Sequence, residues 1–148
     1  MDANEVERGV IDTLYDFCMF GDEARLDDWV ALFCEDGCFD PGRPVKGRAR
    51  IRRLAAALLN SWTASSHHIT NVRVEPLGDS EASSVCSVYA WHQRLDGTQY
   101  ESWGRYVDKL RLEDGRWRFV DRKVQMAGYR GISDQGVPPV PRNTGPFE

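Results

Sequence analysis

The hydrophobic pattern of this 148-residue chain changes its period near residue 63. Before that point apolar residues recur every three or four positions. After it they alternate with polar ones. A chain that is helical first and then built of long consecutive strands folds as α+β, with helices packed on one mostly antiparallel sheet. The length suits a single domain with one core.

The first helix is expected over residues 3–20, on a stripe of Val6, Val10, Leu14, Phe17 and Cys18 widened by Ile11, Tyr15 and Phe20. Gly21 reads as its stop. Asp27 and Asp28 can cap a second helix carrying Trp29, Leu32 and Phe33. A short strand over Gly37 to Asp40 precedes the Pro41-Gly42 turn. A third helix covers about Gly47 to Trp62, with Ile51, Leu54, Ala55, Leu58 and Leu59 on one side. Strands are expected near 66–75, 81–95, 99–112 and 116–126, with hairpin turns at Asp96-Gly97 and Asp114-Gly115. Three helices against a strongly curved sheet leave an apolar cavity between them. From Ala127 to Glu148 the chain is rich in Gly and Pro, so no regular structure is expected there. Residues 1–131 then form the domain and 132–148 a tail. Tyr129, Ile132, Val137, Val140 and Phe147 give this region enough apolar anchors to lie near the cavity mouth.

Nineteen basic and 23 acidic residues leave a net charge of −4, which argues against a nucleic-acid partner. Arg48, Arg50, Arg52 and Arg53 cluster in the third helix and read as a solvated face. No apolar run approaches the roughly 20 residues that span a bilayer. The polar, acidic N-terminus is unlike a signal peptide, so the cytoplasm is the expected compartment. Cys18, Cys34, Cys38 and Cys86 match no zinc spacing, and no metal or other cofactor is expected. The many strand aromatics exceed what one cavity can hide. The outer face of the sheet should therefore be partly apolar, and the chain is expected to form a homodimer or homotrimer.

The stretch that points to chemistry is Ser66-His67-His68-Ile69-Thr70-Asn71-Val72-Arg73-Val74. A histidine at the start of a sheet strand is a natural proton-transfer group, since its ordinary pKa lies near 6.5. Alternation places His67 with Asn71, and His68 with Thr70, Val72 and Val74 on the more apolar face. A bulge would exchange the two assignments.

Three helices, this histidine strand and long meandering strands together resemble the nuclear-transport-factor-2-like superfamily. Within it the chain resembles the SnoaL-like branch that includes scytalone dehydratase, bile-acid 7α-dehydratase and hexachlorocyclohexane dehydrochlorinase. The resemblance covers roughly Val6 to Gly131 and implies a cone-shaped, cystatin-like fold around an apolar cavity. It also implies an acid–base dyad. The run from Phe20 to Phe33 places Asp22 at the family's acidic position, with Glu23 exchangeable for it by a one-residue shift. His67 takes the histidine position and Asn71 the asparagine of a His-x-x-x-Asn pattern, while Tyr15 matches a first-helix tyrosine and Cys18 stands near the place of a lysine. Tyr89, Trp91, Tyr106 and His68 are further candidates for contact with substrate. The implied function is a cofactor-independent lyase, dehydratase-like, acting on a small apolar or aromatic ring, with isomerase or cyclase chemistry also open. Leu26 to Phe33, Gly104-Arg105-Tyr106 and Asp121-Arg122 also resemble the structural β subunits of aromatic-ring-hydroxylating dioxygenases. A non-catalytic ligand-binding member of the fold is the third possibility.

Overall fold

A computed structural model describes residues 1–132, 136–142, 144 and 146. Three helices come first: α1 (Ala3–Asp22), α2 (Leu26–Ala31) and α3 (Arg48–Ser61). Between the last two lie β1 (Phe33–Asp40) and the short β2 (Val45–Lys46). The long strands β3 (Trp62–Pro76), β4 (Glu81–Arg94), β5 (Gln99–Glu113) and β6 (Arg116–Arg130) follow. The six strands form one sheet in the order β2-β1-β6-β5-β4-β3. Only the β1–β6 pair is parallel, and every other pair is antiparallel. The α+β expectation therefore holds, with helices on one face of a mostly antiparallel sheet.

Helix α1 begins with a capping box: the Asp2 side chain accepts from the Glu5 N–H and the Glu5 carboxylate from the Asp2 N–H. It does not stop at Gly21. That glycine stays helical and buried because it packs against the Trp29 indole. The chain leaves the helix at Ala24, whose φ of 54° is the left-handed conformation that ends many helices. Asp27 and Asp28 do not cap α2. They sit in its first turn, where carboxylates complement the positive end of the helix dipole, and Arg25 is the capping-position residue. Tyr15 lies on the solvent side of α1 and is 54% exposed, so it does not widen the buried stripe.

The core forms where α1 crosses the sheet. Phe17 contacts Trp29 at 4.6 Å between ring centres and meets Phe33, Phe39, Tyr106 and Phe119 edge-on. Offset and edge-on pairs of this kind add about 0.5–1.5 kcal/mol each beyond simple burial. Gly9 lets α1 lie directly on the Trp117 ring, since a Cβ there would stand 2.6 Å from Trp117 Cδ1. Under the same aromatics is a fully buried ion pair. Arg122 Nε lies 3.0 Å from Asp108 Oδ1, a contact poorly aligned as a hydrogen bond. Nη2 donates to Oδ2 at 3.2 Å, and the guanidinium lies over the rings of Phe17, Tyr106 and Phe119.

One irregularity decides which way β3 faces. Thr70 pairs with Ser87 and Arg73 with Val85, so β3 spends one more residue than β4 between the two pairs. The extra residue brings Asn71 to a φ of 53°. Odd-numbered residues face inward before it (His67, Ile69), and even-numbered ones after it (Val72, Val74). Ile69, Val72 and Val74 all pack on the core.

On the outer face of the sheet Tyr89, Trp103 and Val107 are exposed, the surface on which the expected self-association would rest. The region beyond Met126 is more regular than its composition suggests. β6 continues through Ala127 to Arg130, because the β5 partners Glu101, Ser102 and Trp103 extend far enough to pair with it. The tail then returns to β6: the Met126 N–H donates to Pro138 O and the Val140 N–H to Met126 O. Phe147, expected as an anchor, lies outside the described residues.

Candidate active site

Between the helices and the inner face of the sheet lies a pocket of about 290 Å³. Leu54, Ala55 and Leu58 of α3 form one wall, Val88 and Ala90 of β4 another, and Ile132 and Val137 of the tail contribute a third. Among its lining residues none is a carboxylate, a lysine or an arginine.

His67 lines this pocket, and Asp22 stands behind it. Asp22 is the last residue of α1 and reaches the free edge of β3. Its Oδ1 lies 2.6 Å from His67 Nδ1 and accepts from the Ser65 hydroxyl at 2.7 Å, while its Oδ2 accepts from the His67 N–H at 2.8 Å. Burial pushes the Asp22 carboxyl up. The bonds from the His67 ring, the His67 N–H and Ser65 together outweigh burial and hold the carboxyl below the usual range. An ionised Asp22 accepts from Nδ1–H, which fixes the ring tautomer and leaves Nε2 with its lone pair. Glu23, the one-residue alternative, points to solvent as the C-terminal cap of α1 and pairs with Arg25 at 3.3 Å.

The other histidine of the pair is on the opposite face. His68 is exposed, shares a hydrogen bond with Ser66 Oγ through Nε2 at 2.8 Å, and lies against Tyr89. The apolar run of Val72 and Val74 pointed to His68 only because the alternation was counted across the bulge. Asn71, expected beside His67, is itself the bulged residue and donates to Ser87 on the surface. Tyr89 and Trp91 face outward as well: Tyr89 donates to Glu101 at 2.8 Å and the Trp91 indole to Gln99 at 3.1 Å. They occupy odd positions of β4, and its inward positions are Val88, Ala90 and His92. Of the expected contact residues other than the dyad, only Tyr106 lines the pocket, where it is buried.

His92 is the residue that sequence reasoning missed. It is 5% exposed, and neither ring nitrogen has a hydrogen-bond partner among the described residues. Its ring stacks on Tyr100 at 4.5 Å, touches Trp62 at 4.2 Å and meets His67 edge-on at 4.9 Å. The small-to-apolar alternation Ala82, Ser84, Cys86, Val88, Ala90 marks this face of β4 as the inner one and could have found it. Burial, with a contribution from His67, pushes the His92 pKa down to about 3. The unfolded ring titrates near 6.5. Between these values the unfolded chain binds the extra proton, so stability falls as pH drops from about 6.5 toward 3. His92→Phe keeps the ring stack and should flatten that slope in urea titrations run across this range. A slope unchanged by the substitution would contradict the burial of a neutral ring.

Among the described residues one group of possible metal ligands comes together away from this pocket. Cys34, Asp36 and Glu113 converge with their ligand atoms within 4.8 Å, but Arg111 already donates to Asp36 at 2.9 Å and to Glu113 at 2.6 Å. Burial pushes the Cys34 thiol up to about 11, which keeps it protonated. Cys38 is not part of this group.

The decisive comparison is with the SnoaL-like domain family, whose model matches residues 3–123. The chain belongs to that family. Solved structures agree with the SnoaL-like fold. A candidate scytalone dehydratase from Novosphingobium aromaticivorans superposes with a TM-score of 0.88 at 23% identity, over 95% of this chain and 97% of that one. A candidate aromatic ring hydroxylase from the same organism gives 0.84 at 21%, covering 89% and 96%. A hexachlorocyclohexane dehydrochlorinase (LinA) of type 2 gives 0.78 at 17%, covering 95% and 96%. A search among curated protein sequences finds no match. No helix among the described residues of this SnoaL-like chain is long and apolar enough to cross a membrane.

Proposed function

We propose that this SnoaL-like protein is a cofactor-independent acid–base enzyme of the lyase type, acting on a small, uncharged, largely apolar ring compound. The observation that carries the reading is the 2.6 Å contact of His67 Nδ1 with Asp22, with the same ring lining an apolar pocket. Nε2 is then the base. It takes a proton from a carbon of the substrate, the C–H electron pair becomes the new C=C bond, and the leaving group departs from the adjacent carbon with its own bonding pair. Asp22 stabilises the imidazolium that forms and keeps the ring in place. In a dehydration the imidazolium proton leaves with hydroxide as water, and in a dehydrohalogenation it passes to solvent. His92, whose ring nitrogens have no hydrogen-bond partner among the described residues, lines the same pocket and meets the His67 ring edge-on. The pocket walls are largely apolar, which favours an apolar ring beside His67. Two of the similar structures carry names of elimination enzymes, a dehydratase and a dehydrochlorinase, which supports this class of reaction without naming the substrate.

Proton abstraction can be tested before the substrate is known. Cyclic β-hydroxy ketones and polychlorinated cyclohexanes are incubated with the protein in D₂O and followed by NMR. Deuterium wash-in or alkene formation with the wild type, absent with His67→Ala, is the expected result. If neither appears for any member of the panel, a non-catalytic ligand-binding role or a structural-subunit role becomes the better reading.

A further inference from the structure

The stretch from Pro41 to Val74 contains no aspartate or glutamate, although the chain has 23 of them. It carries seven of the nineteen basic residues, six of them between Arg43 and Arg53. The fold gathers those six on the β1–β2 connection, on β2 and on the N-terminal half of α3. Two are used internally. Arg48 donates to Phe33 O and pairs with Glu35 at 3.1 Å, and Arg52 pairs with Asp27 at 2.7 Å. Arg43, Lys46, Arg50 and Arg53 are exposed and make no ion pair among the described residues. Their placement also opposes the helix: α3 has no acidic residue in its first turn and no side-chain cap, so its cations crowd the positive end of its dipole. Folding gains nothing from that arrangement, and a local rule broken without structural gain points to function.

We propose that this cationic face of α3 and β2 is a docking surface for an acidic protein. The choice of partner follows from what the face lacks. Residues 43–53 include no aromatic side chain on which a nucleic-acid base could stack. None of the exposed large hydrophobic residues lies between residues 41 and 61, so nothing there can anchor in a lipid surface. None of the described concavities includes the four free cations, so the patch is an open surface and does not form a cup for a small anion. An open arginine-rich face complementary to carboxylates is the pattern of a transient, electrostatically steered contact. The adjoining face of the same helix, with Leu54, Ala55 and Leu58, is a wall of the pocket, so a docked partner abuts the ligand site.

The test uses the full chain, ¹⁵N-labelled, at about physiological ionic strength. The probe is a synthetic helical peptide with glutamates at i, i+3, i+4 and i+7. A single-stranded DNA of matching charge and phosphatidylglycerol vesicles are the comparison arms. The expected result is amide shifts confined to residues 43–53 and a loss of affinity of about tenfold or more in Arg50→Glu/Arg53→Glu. Both substituted side chains are exposed, so circular dichroism should show the variant folded. Arg50→Lys/Arg53→Lys keeps the charge and is expected to retain most of the binding. The proposal is overturned if the peptide shifts no amide in that segment, if the charge-reversed variant binds equally well, or if DNA or vesicles perturb those amides more strongly.

Discussion

His67→Ala is expected to abolish turnover of any substrate identified for this pocket while leaving the fold intact. The imidazole lines a cavity, so its removal strips little packing from the core. A positioned base of this kind contributes about 10²–10⁴-fold to rate. Asp22→Asn should also lower the rate, for a different reason. An amide in place of the carboxylate can present N–H to the ring as readily as oxygen, which permits the wrong tautomer and removes the charge facing the imidazolium. Steady-state rates for both variants, with melting curves run in parallel, are the check. Full activity in His67→Ala would remove the proposed base from the mechanism.

The largest expected effect on stability lies away from the pocket. Asp108→Ala leaves the Arg122 guanidinium fully buried without its counter-charge, and breaking such a pair costs about 3–5 kcal/mol. For a chain of this size that corresponds to a fall in melting temperature of roughly 10 °C. The three rings over the guanidinium do not offset the loss, because those cation–π contacts are already made in the wild type. Replacing both partners, as in Asp108→Leu/Arg122→Met, should be milder than Asp108→Ala, since no charge is then stranded. Thermal denaturation of the two variants side by side decides the point. A double variant less stable than the single one would mean that Arg122 supports the core chiefly through its packing.

The order of helices and strands was legible because it rests on periodicity, which local sequence carries directly. The contact of Asp22 with His67 was expected from the resemblance to the SnoaL-like branch, which places an acidic residue after the first helix and a histidine on a sheet strand. The remaining contact residues were not legible. Tyr89 and Trp91 drew attention by size, yet an inner face crowded by α1 and by the core aromatics takes small side chains at its ends. The large ones therefore turn outward. His92 shows the converse. It stands among small inward residues and gains its environment from Trp62, Tyr100 and His67, which come from three different stretches of chain. Tyr15 sits within one residue of a buried position, and helical periodicity does not resolve a side chain at the margin of a stripe.

The extra residue at Asn71 has a consequence for which changes of length this gene can survive. Losing that one codon would remove the bulge and return β3 to plain alternation, with Ile69, Val72 and Val74 still facing inward. Gaining one beside it would turn everything downstream by half a repeat, aiming Arg73 and Glu75 at the core and Val72 and Val74 at water. Insertions in the Leu95–Gly97 hairpin tip carry no such phase, because the chain reverses there and the strand register is set elsewhere. Among relatives of this protein, insertions should accumulate at the hairpin tips and be excluded from the middle of the histidine strand, where a single-residue gap at position 71 is the one length change that keeps the facing. The side chain at position 71 is free to change within the types that tolerate a left-handed backbone.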